Sequence, residues 1–322
     1  MTEQLRKALG TGNPGGHGLL QTLVAHEIIP LIRQRSYMRQ FLREITMPSP
    51  TYNVPKMLSV AGVYGVAEGG TPTEASMDVG EIVLVAKKLM FKLPLNAELS
   101  EDAVVPIIPV IKDEIVREFA TAEEKVWLNG DVTIGAGNIS GVLAAGDPRL
   151  QVSGLRKNAG VSVDAGNDIF TLDVFNEALY ALDVYADIKE DLLMVIPRCA
   201  EAHVRKLQGF MDIQAKAGAQ STMLTGEIGK IYGVPVVATS LLPENLNANG
   251  VYDNATTDRS CALLIHRNAY IIGDRRKFQI RTSDEIRMDY DQILLVASER
   301  IAGQVVYAPS ICLIKNIKKA IN

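Results

Sequence analysis

The sequence predicts an α+β fold with an N-terminal arm and a long hairpin that project from its body. Three observations lead to this class. Apolar residues recur every three or four positions from residue 108 to residue 126, which is the pattern of a long amphipathic helix. After residue 260, short apolar runs alternate with turn residues, which indicates a strand-rich part. Between residues 60 and 95, two strand-like runs flank a polar tip, which is typical of a hairpin.

The composition is that of an ordinary globular protein. The 322 residues are 47% hydrophobic and 22% charged, with a formal net charge of −4. These values exclude wholesale disorder and fibrous repeats, and the lack of a basic excess argues against a protein that only grips nucleic acid. No apolar run approaches the roughly 18 residues of a membrane-spanning helix, and the N-terminus lacks the apolar core of a signal peptide. The sequence therefore predicts a soluble, cytoplasmic product with no membrane partner.

The N-terminal segment predicts an arm. A glycine-rich tether precedes residues 19–45, which have a helical pattern interrupted near Pro30. The second half of this segment carries four basic residues with no acid among them, namely Arg33, Arg35, Arg39 and Arg43. Three prolines follow, Pro48, Pro50 and Pro55, and they favour an extended connector.

The predicted hairpin has arms at residues 60–66 and 81–95 and a turn-rich tip at residues 68–74. It contains no lysine or arginine between residues 61 and 86, but it contains four acids, Glu68, Glu74, Asp78 and Glu81. A hairpin of this length is rarely stable alone in water, so we expect it to lie on another surface. The four arginines and four acids are therefore candidates for contacts between subunits. The alternative is that both are solvated faces, where ion pairs contribute little.

The long helix is predicted to begin at Ser100, a good N-cap, and to end at Asn129-Gly130. Further helices are predicted at residues 172–186 and 198–210. Strands are predicted at residues 192–196, 234–239, 261–265, 270–273, 278–282, 293–297, 305–307 and 311–314.

No complete catalytic or metal-binding motif occurs in the sequence. Residues 226–230 lack the spacing of a phosphate loop, and Pro30 stands where a zinc-protease helix starting at His26 needs its second histidine. Cys199 and His203 are four apart on a predicted helix, which suits a nucleophile pair or half a metal site, but no third group accompanies them. The three cysteines lie far apart and imply no disulfide framework. We expect no catalytic residue, no metal and no cofactor.

Several segments resemble the major capsid proteins of tailed bacteriophages, which have the Hong Kong 97-like fold. Their order along the chain after Leu19 makes the resemblance specific. The segments are Leu95–Asp102 at the start of the long helix, Glu123–Asp131 at its end, Asn138–Leu143, Tyr232–Thr239, and Glu299-Arg300 followed by Tyr307–Ser310.

The resemblance implies a division of the chain into four parts. These are an N-terminal arm (1–46), a connector with the extended E-loop hairpin (47–98), a P domain with the spine helix (99–140 and 284–306), and an A domain (141–283 and 307–322). It implies self-assembly through hexamers and pentamers into the icosahedral or prolate head shell of a virion, made in the host cytoplasm. That shell encloses double-stranded DNA without sequence-specific binding. A scaffolding protein, a portal and a decoration protein are further partners that the family allows.

Some members of this family join their subunits covalently through a hairpin Lys and an Asn, with a Glu that promotes the reaction. Alignment of the family pattern through Glu299-Arg300 places Asp291 and Ser298 at the Asn and Glu positions. We therefore expect a shell held by non-covalent contacts. Because the chain begins almost at the arm, we expect a separate scaffold or none.

Two other functions are considered. An encapsulin-like shell protein of a cellular nanocompartment resembles the same fold, but the long hairpin and the arm favour a phage capsid. A soluble α/β enzyme belongs to a different class. It would require a convergent set of nucleophilic or metal-binding residues, which the sequence does not reveal.

Overall fold

Two large β-sheets and one long helix form most of the structure, a computed structural model of the chain. It describes residues 37–59, 62–71, 74, 76–98, 107–206, 229–256, 258–283 and 285–319. The strands are β1 Arg43–Thr46, β2 Thr51–Ser59, β3 Asp78–Val85, β4 Lys87–Asn96, β5 Val161–Asp164, β6 Leu192–Pro197, β7 Gly229–Ile231, β8 Val234–Thr239, β9 Arg259–His266, β10 Tyr270–Ser283, β11 Gln292–Val305 and β12 Ile311–Lys318. The α-helices are α1 Met38–Phe41, α2 Ile107–Asn129, α3 Leu172–Ala181 and α4 Arg198–Lys206.

A four-stranded sheet has the strand order β1-β10-β11-β4. The two long strands β10 and β11 pair antiparallel, β4 pairs antiparallel with β11, and β1 lies parallel to β10. Helix α2 packs on this sheet, with the rings of Phe119 and Phe278 4.9 Å apart. Ile115 and Val126 belong to the same core, as the apolar stripe of the helix predicts.

A six-stranded sheet has the order β5-β12-β9-β6-β8-β7. Its central strand β6 is buried at every position, which explains its continuous apolar sequence. Helix α3 begins at the N-cap Thr171 and places Phe175 and Ala178 in the core of this sheet, together with Met194 and Ile314.

A two-stranded ribbon, β2–β3, extends from the four-stranded sheet to the tip of the predicted hairpin. Strand β3 alternates between buried and exposed side chains, as expected of a strand with one covered face. Ile82 and Leu84 pack with Met47, which follows β1, and with Ile271 and Ala302 of the four-stranded sheet, so the base of the ribbon packs on this sheet.

The structure confirms the long helix, which spans 23 residues and about 35 Å, and its end at Asn129-Gly130. The predicted start at Ser100 lies outside the described residues. The predicted helix up to Ile45 is wrong beyond Phe41, because Arg43–Thr46 pairs with β10 as a strand.

The hairpin is confirmed, but its predicted arms are not accurate. The outgoing arm is Thr51–Ser59 rather than residues 60–66, and Pro55 is tolerated there because β2 is an edge strand. The returning arm divides at Ala86, where the chain leaves the ribbon and joins the four-stranded sheet as β4.

Three other elements differ from the predictions. The helix predicted at 172–186 ends at Ala181, because Asp183 has φ 48° and begins a 3-10 turn that runs to Ala186. The predicted strands 270–273 and 278–282 are one strand, β10, whose pairing with β11 continues through register shifts. The predicted strand 305–307 ends at Val305, as part of β11.

The domain boundaries stay a prediction. The paired strands β10 and β11 lie on opposite sides of the proposed boundary at residue 284. In the described part of the chain, none of the helices has both the length and the hydropathy that crossing a bilayer requires.

Candidate functional site

Residues 37–46, here called the anchor segment, comprise α1, which lies against α2, and β1, an edge strand of the four-stranded sheet. Met38 and Leu42 are buried in the main core together with Phe119. The backbone N–H groups of Tyr37 and Met38 donate to the two carboxylate oxygens of Glu124, at 3.2 and 3.3 Å. A carboxylate of α2 thus satisfies two of the N–H groups that the short helix α1 leaves without a partner.

Arg39 lies at the centre of the contact between the anchor segment and the body. Its Nε and Nη2 donate to the two oxygens of Glu123 at 2.9 and 2.6 Å, which is the bidentate geometry that favours arginine. Its Nη1 donates to Glu44 and Asp274, both at 2.8 Å. Burial opposes the charge of Arg39, but the hydrogen bonds that it donates to Glu123 and Asp274 outweigh this effect and raise the pKa of the guanidinium.

Four carboxyl groups surround this arginine, one from each of four strands and helices. They are Glu44 of β1, Glu123 of α2, Asp274 of β10 and Glu299 of β11, here called the acid cluster. Together with Val116, Phe119 and Phe278 they line a cavity of about 390 Å³.

The carboxyl groups of the acid cluster shift one another's pKa values. Glu299 is 3% exposed, and its burial together with the neighbouring charge of Glu123 raises the pKa of Glu299 to about 9. The neighbouring Asp274 carboxyl, with burial, raises the pKa of Glu44. Burial also acts to raise the pKa of Asp274, but the neighbouring Glu44 and the hydrogen bond from Arg39 outweigh it and lower that pKa.

A second polar network follows the end of α2. Arg156 is buried, and its Nη1 and Nη2 donate to Asn129 Oδ1 at 2.7 Å and to the Ile139 carbonyl at 2.6 Å. Asp131 accepts from the backbone N–H groups of Thr133 and Ile139 at 3.0 and 2.9 Å. Burial opposes the charge of Asp131, but these backbone bonds prevail and lower its pKa.

This network explains the motif at the end of the helix. A Cβ at Gly130 would lie 2.2 Å from the Val152 carbonyl oxygen, so only glycine allows the two backbones to approach. The side chain of Asn138 bridges the carbonyls of Asp131 and Thr133, at 2.9 and 2.8 Å. The loop is therefore held by its own residues.

The predicted subunit contacts are distributed as follows. Arg33 and Arg35 lie outside the described residues. Arg39 makes its ion pairs inside its own chain, while Arg43 is exposed on β1. The four hairpin acids, Glu68, Glu74, Asp78 and Glu81, are all exposed, and Glu81 accepts a hydrogen bond from Asn53 at 3.0 Å. Contact between these residues across subunits stays a prediction.

The catalytic possibilities that the sequence raised gain no support. Burial and the charge of Glu244 raise the pKa of the Cys199 thiol to about 11, which opposes formation of the nucleophilic thiolate. Across the described ranges, no group of three or more His, Cys, Asp or Glu side chains is arranged to hold a metal ion.

Asp291 and Ser298 stand at the positions that the resemblance assigns to the covalent link between subunits. Asp291 occupies a turn, and Ser298 accepts a hydrogen bond from Arg276 at 2.8 Å.

Sequence reasoning missed the acid cluster. Glu44 and Asp274 were not singled out, and Glu299 was noted only as part of a motif. One signal could have found Glu299: Leu295, Ala297 and Ile301 are buried and alternate with only partly buried residues on β11, so Glu299 falls on the same buried face. An acid at such a position indicates a buried carboxyl.

Comparisons with known proteins give a consistent result. The model of the phage capsid family matches residues 16–316. The major capsid protein of Escherichia phage T5 is 25% identical over 214 residues, which is 64% of this chain and 44% of that protein. The chain thus spans less than half the length of this curated relative.

Solved capsid structures share the fold of the chain. The capsid of a native GTA particle has a TM-score of 0.69 at 17% identity and covers 94% of this chain and 97% of that chain. Gordonia phage Cozz gives a TM-score of 0.66 at 14% identity, with 95% and 94% covered. Microbacterium phage Oxtober96 gives 0.64 at 16% identity, with 92% and 96% covered. The predicted α+β class and capsid fold are confirmed.

Proposed function

Because the chain belongs to the phage capsid family, we propose that it is the major capsid protein of a tailed phage. In this role, copies of the chain associate into hexamers and pentamers and then into the icosahedral or prolate head shell of the virion. The shell encloses double-stranded DNA after assembly in the host cytoplasm. The role is structural rather than catalytic, and a scaffolding protein, a portal and a decoration protein are further partners of such a shell.

The observation that carries the proposal is the apolar surface of the ribbon β2–β3 and its tip. One face of the ribbon packs on the body, but large apolar side chains remain exposed elsewhere on it. These are Met57, Leu58, Val63, Tyr64, Val66, Met77, Val79, Val83 and Val85. An exposed apolar surface of this extent marks an interaction site, and in a shell every neighbouring copy supplies a surface that can cover it.

Repetition explains how modest contacts can hold a large shell. Each subunit makes the same contacts with its neighbours, so their free energies add around a closed assembly. The exposed acids of the hairpin and the exposed Arg43 of the arm fit such contacts. Each exposed ion pair contributes only about 0.2–1 kcal/mol, so their main effect is on the register of neighbours.

The overall charge fits a DNA container. With a net charge of −4, the protein has no basic excess that would hold the genome tightly. An encapsulin-like shell is less favoured, because the relatives described above are capsids of phages and of a GTA particle.

A direct test is to express the full chain and measure its state of association by analytical ultracentrifugation and cryo-electron microscopy. We expect capsomers or closed shells of megadalton mass. A chain that sediments only as a monomer or a small oligomer at all concentrations would contradict the proposal.

The hairpin contacts are tested by reversing three acids together, with Glu68→Lys, Glu74→Lys and Asp78→Lys. We expect this variant to lose particle yield by electron microscopy while its thermal unfolding stays close to that of the wild type, because the acids are exposed. A control with the same change of charge on the six-stranded-sheet side, Glu177→Lys, Asp187→Lys and Glu190→Lys, should keep more of the yield. Equal yields from both variants would refute the hairpin contact.

A further inference from the structure

The acid cluster lies where the anchor segment meets the body, so its state of charge affects that contact directly. Two members, Glu123 and Asp274, belong to the body and hold Arg39 of the anchor segment. A third, Glu299, is 3% exposed and lines the same cavity as Arg39 and Glu44 of the anchor segment.

The surroundings of Glu299 favour its neutral form. Glu299 is 3% exposed, and its Oε1 has no hydrogen-bond partner to support a negative charge. Glu123 lines the same cavity and accepts from Arg39 through both of its oxygens, so its negative charge opposes ionisation of Glu299. Glu299 is therefore the group that holds a proton in this contact.

Charged groups face Glu299 from each element around the cavity. The anchor segment contributes Arg39 and Glu44, helix α2 contributes Glu123, and β10 contributes Asp274, Arg276 and Lys277. The position paired with Glu299 on β4 is Leu89, which carries no charge. With Glu299 neutral, these charges are three acids and three bases, and ionisation of Glu299 would add an unmatched negative charge.

We propose that the contact between the anchor segment and the body is a proton-dependent latch, which closes when Glu299 is protonated and weakens as the pH rises. Opening of the latch admits water to Glu299 and releases its proton. The closed state is therefore favoured at low pH, and its advantage declines from about pH 5, near the ordinary pKa of a glutamate, to about pH 9, the raised pKa of Glu299 in the closed state.

The latch controls two segments. The anchor segment continues from the predicted arm on one side and leads into β2 of the ribbon on the other. Loosening of the latch would therefore free both segments that the proposed function assigns to subunit contacts. This consequence rests on the proposed function, whereas the proton dependence concerns a single chain.

The test is native-state hydrogen–deuterium exchange of residues 37–46 in the full chain, measured from pH 6 to pH 8 and corrected for intrinsic exchange rates. If each opening releases one proton, protection falls about tenfold per pH unit in the wild type. Glu299→Gln is uncharged at every pH and its amide can donate to Glu123, so protection in this variant should be independent of pH. Glu114→Gln, on the same helix outside the cluster, should keep the wild-type slope.

Two outcomes would overturn the latch. One is a wild-type protection that does not change with pH; the other is a slope that Glu299→Gln retains. If Glu44→Gln rather than Glu299→Gln abolishes the slope, the proton belongs to the other carboxyl pair and the assignment is wrong. These measurements do not depend on shell formation, so their failure is distinguishable from failure of the proposed function.

Discussion

Arg39 and Arg156 both donate hydrogen bonds to residues near the C-terminal end of α2, but the chemical nature of their partners differs. Arg39 binds ionised carboxylates, whereas Arg156 binds an amide oxygen and a backbone carbonyl. Arg156 is almost wholly buried, and this burial lowers its pKa. The Arg39 site thus contains several ionisable groups, of which Glu299 holds a proton, while the acceptors at the Arg156 site are neutral. We expect the first to respond to pH and the second to fix the loop regardless of pH.

The largest effect is expected from Arg39→Ala. This change leaves Glu123, Asp274 and Glu44 without their shared cation, and removal of one partner from a buried ionic site costs about 3–5 kcal/mol. Chemical denaturation at pH 7 measures this loss. At pH 4 the loss should be smaller, because protonated carboxyls need no cation. An equal loss at both pH values would show that packing, not charge, dominates at this residue.

A smaller loss, about 2–3 kcal/mol, is expected from Arg156→Leu. Asn129 Oδ1 and the Ile139 carbonyl lose their donors, but burial of a charge is relieved at the same time. The same denaturation experiment should give equal losses at pH 5 and pH 8. A strong dependence on pH in this range would contradict the contrast between the two arginines.

The sequence was sufficient to predict several of the elements but neither of these two sites. The stripe of α2 and the apolar run of β6 are local patterns, and both predicted elements appear in the structure. The partners of Arg39 are 84 and 235 residues away, so no local spacing indicates them. Arg39 was grouped with the other basic residues of the arm, although strand and helix packing brings it to carboxylates of its own chain.

The hairpin shows the same limit in a different way. Its acids and its polar tip identified a projecting element, but the position of its strands depends on pairing between distant residues. Tyr52 pairs with Leu84 in the ribbon. After Ala86 the chain leaves the ribbon and pairs as β4 with β11 of the four-stranded sheet. Alternation along one strand does not specify which sheet receives it.

The proton on Glu299 should also affect global stability. Because the pKa of Glu299 is raised to about 9 in the folded chain, the folded state binds more protons than the unfolded chain above about pH 4.5. Its contribution to stability is present in full at low pH and declines up to about pH 9, by at most about 1.4 kcal/mol per pH unit.

Urea denaturation from pH 5 to pH 9 tests this sign. The stability of Glu299→Gln relative to the wild type should increase with pH, since glutamine has no proton to lose. A relative stability that stays constant would mean that Glu299 is already ionised in the folded chain at pH 5.

The smallest effect is expected from Glu124→Gln, next to the acid cluster. Glu124 accepts two backbone N–H groups of the anchor segment, and a glutamine carbonyl can retain one of these bonds. We expect a loss of about 0.5–1.5 kcal/mol, the usual net value of one hydrogen bond. The loss should be the same at pH 6 and pH 8, because this contact holds the backbone without a shared proton. If the loss instead changes with pH as for Glu299→Gln, then Glu124, which caps α1, also binds a proton in the folded chain.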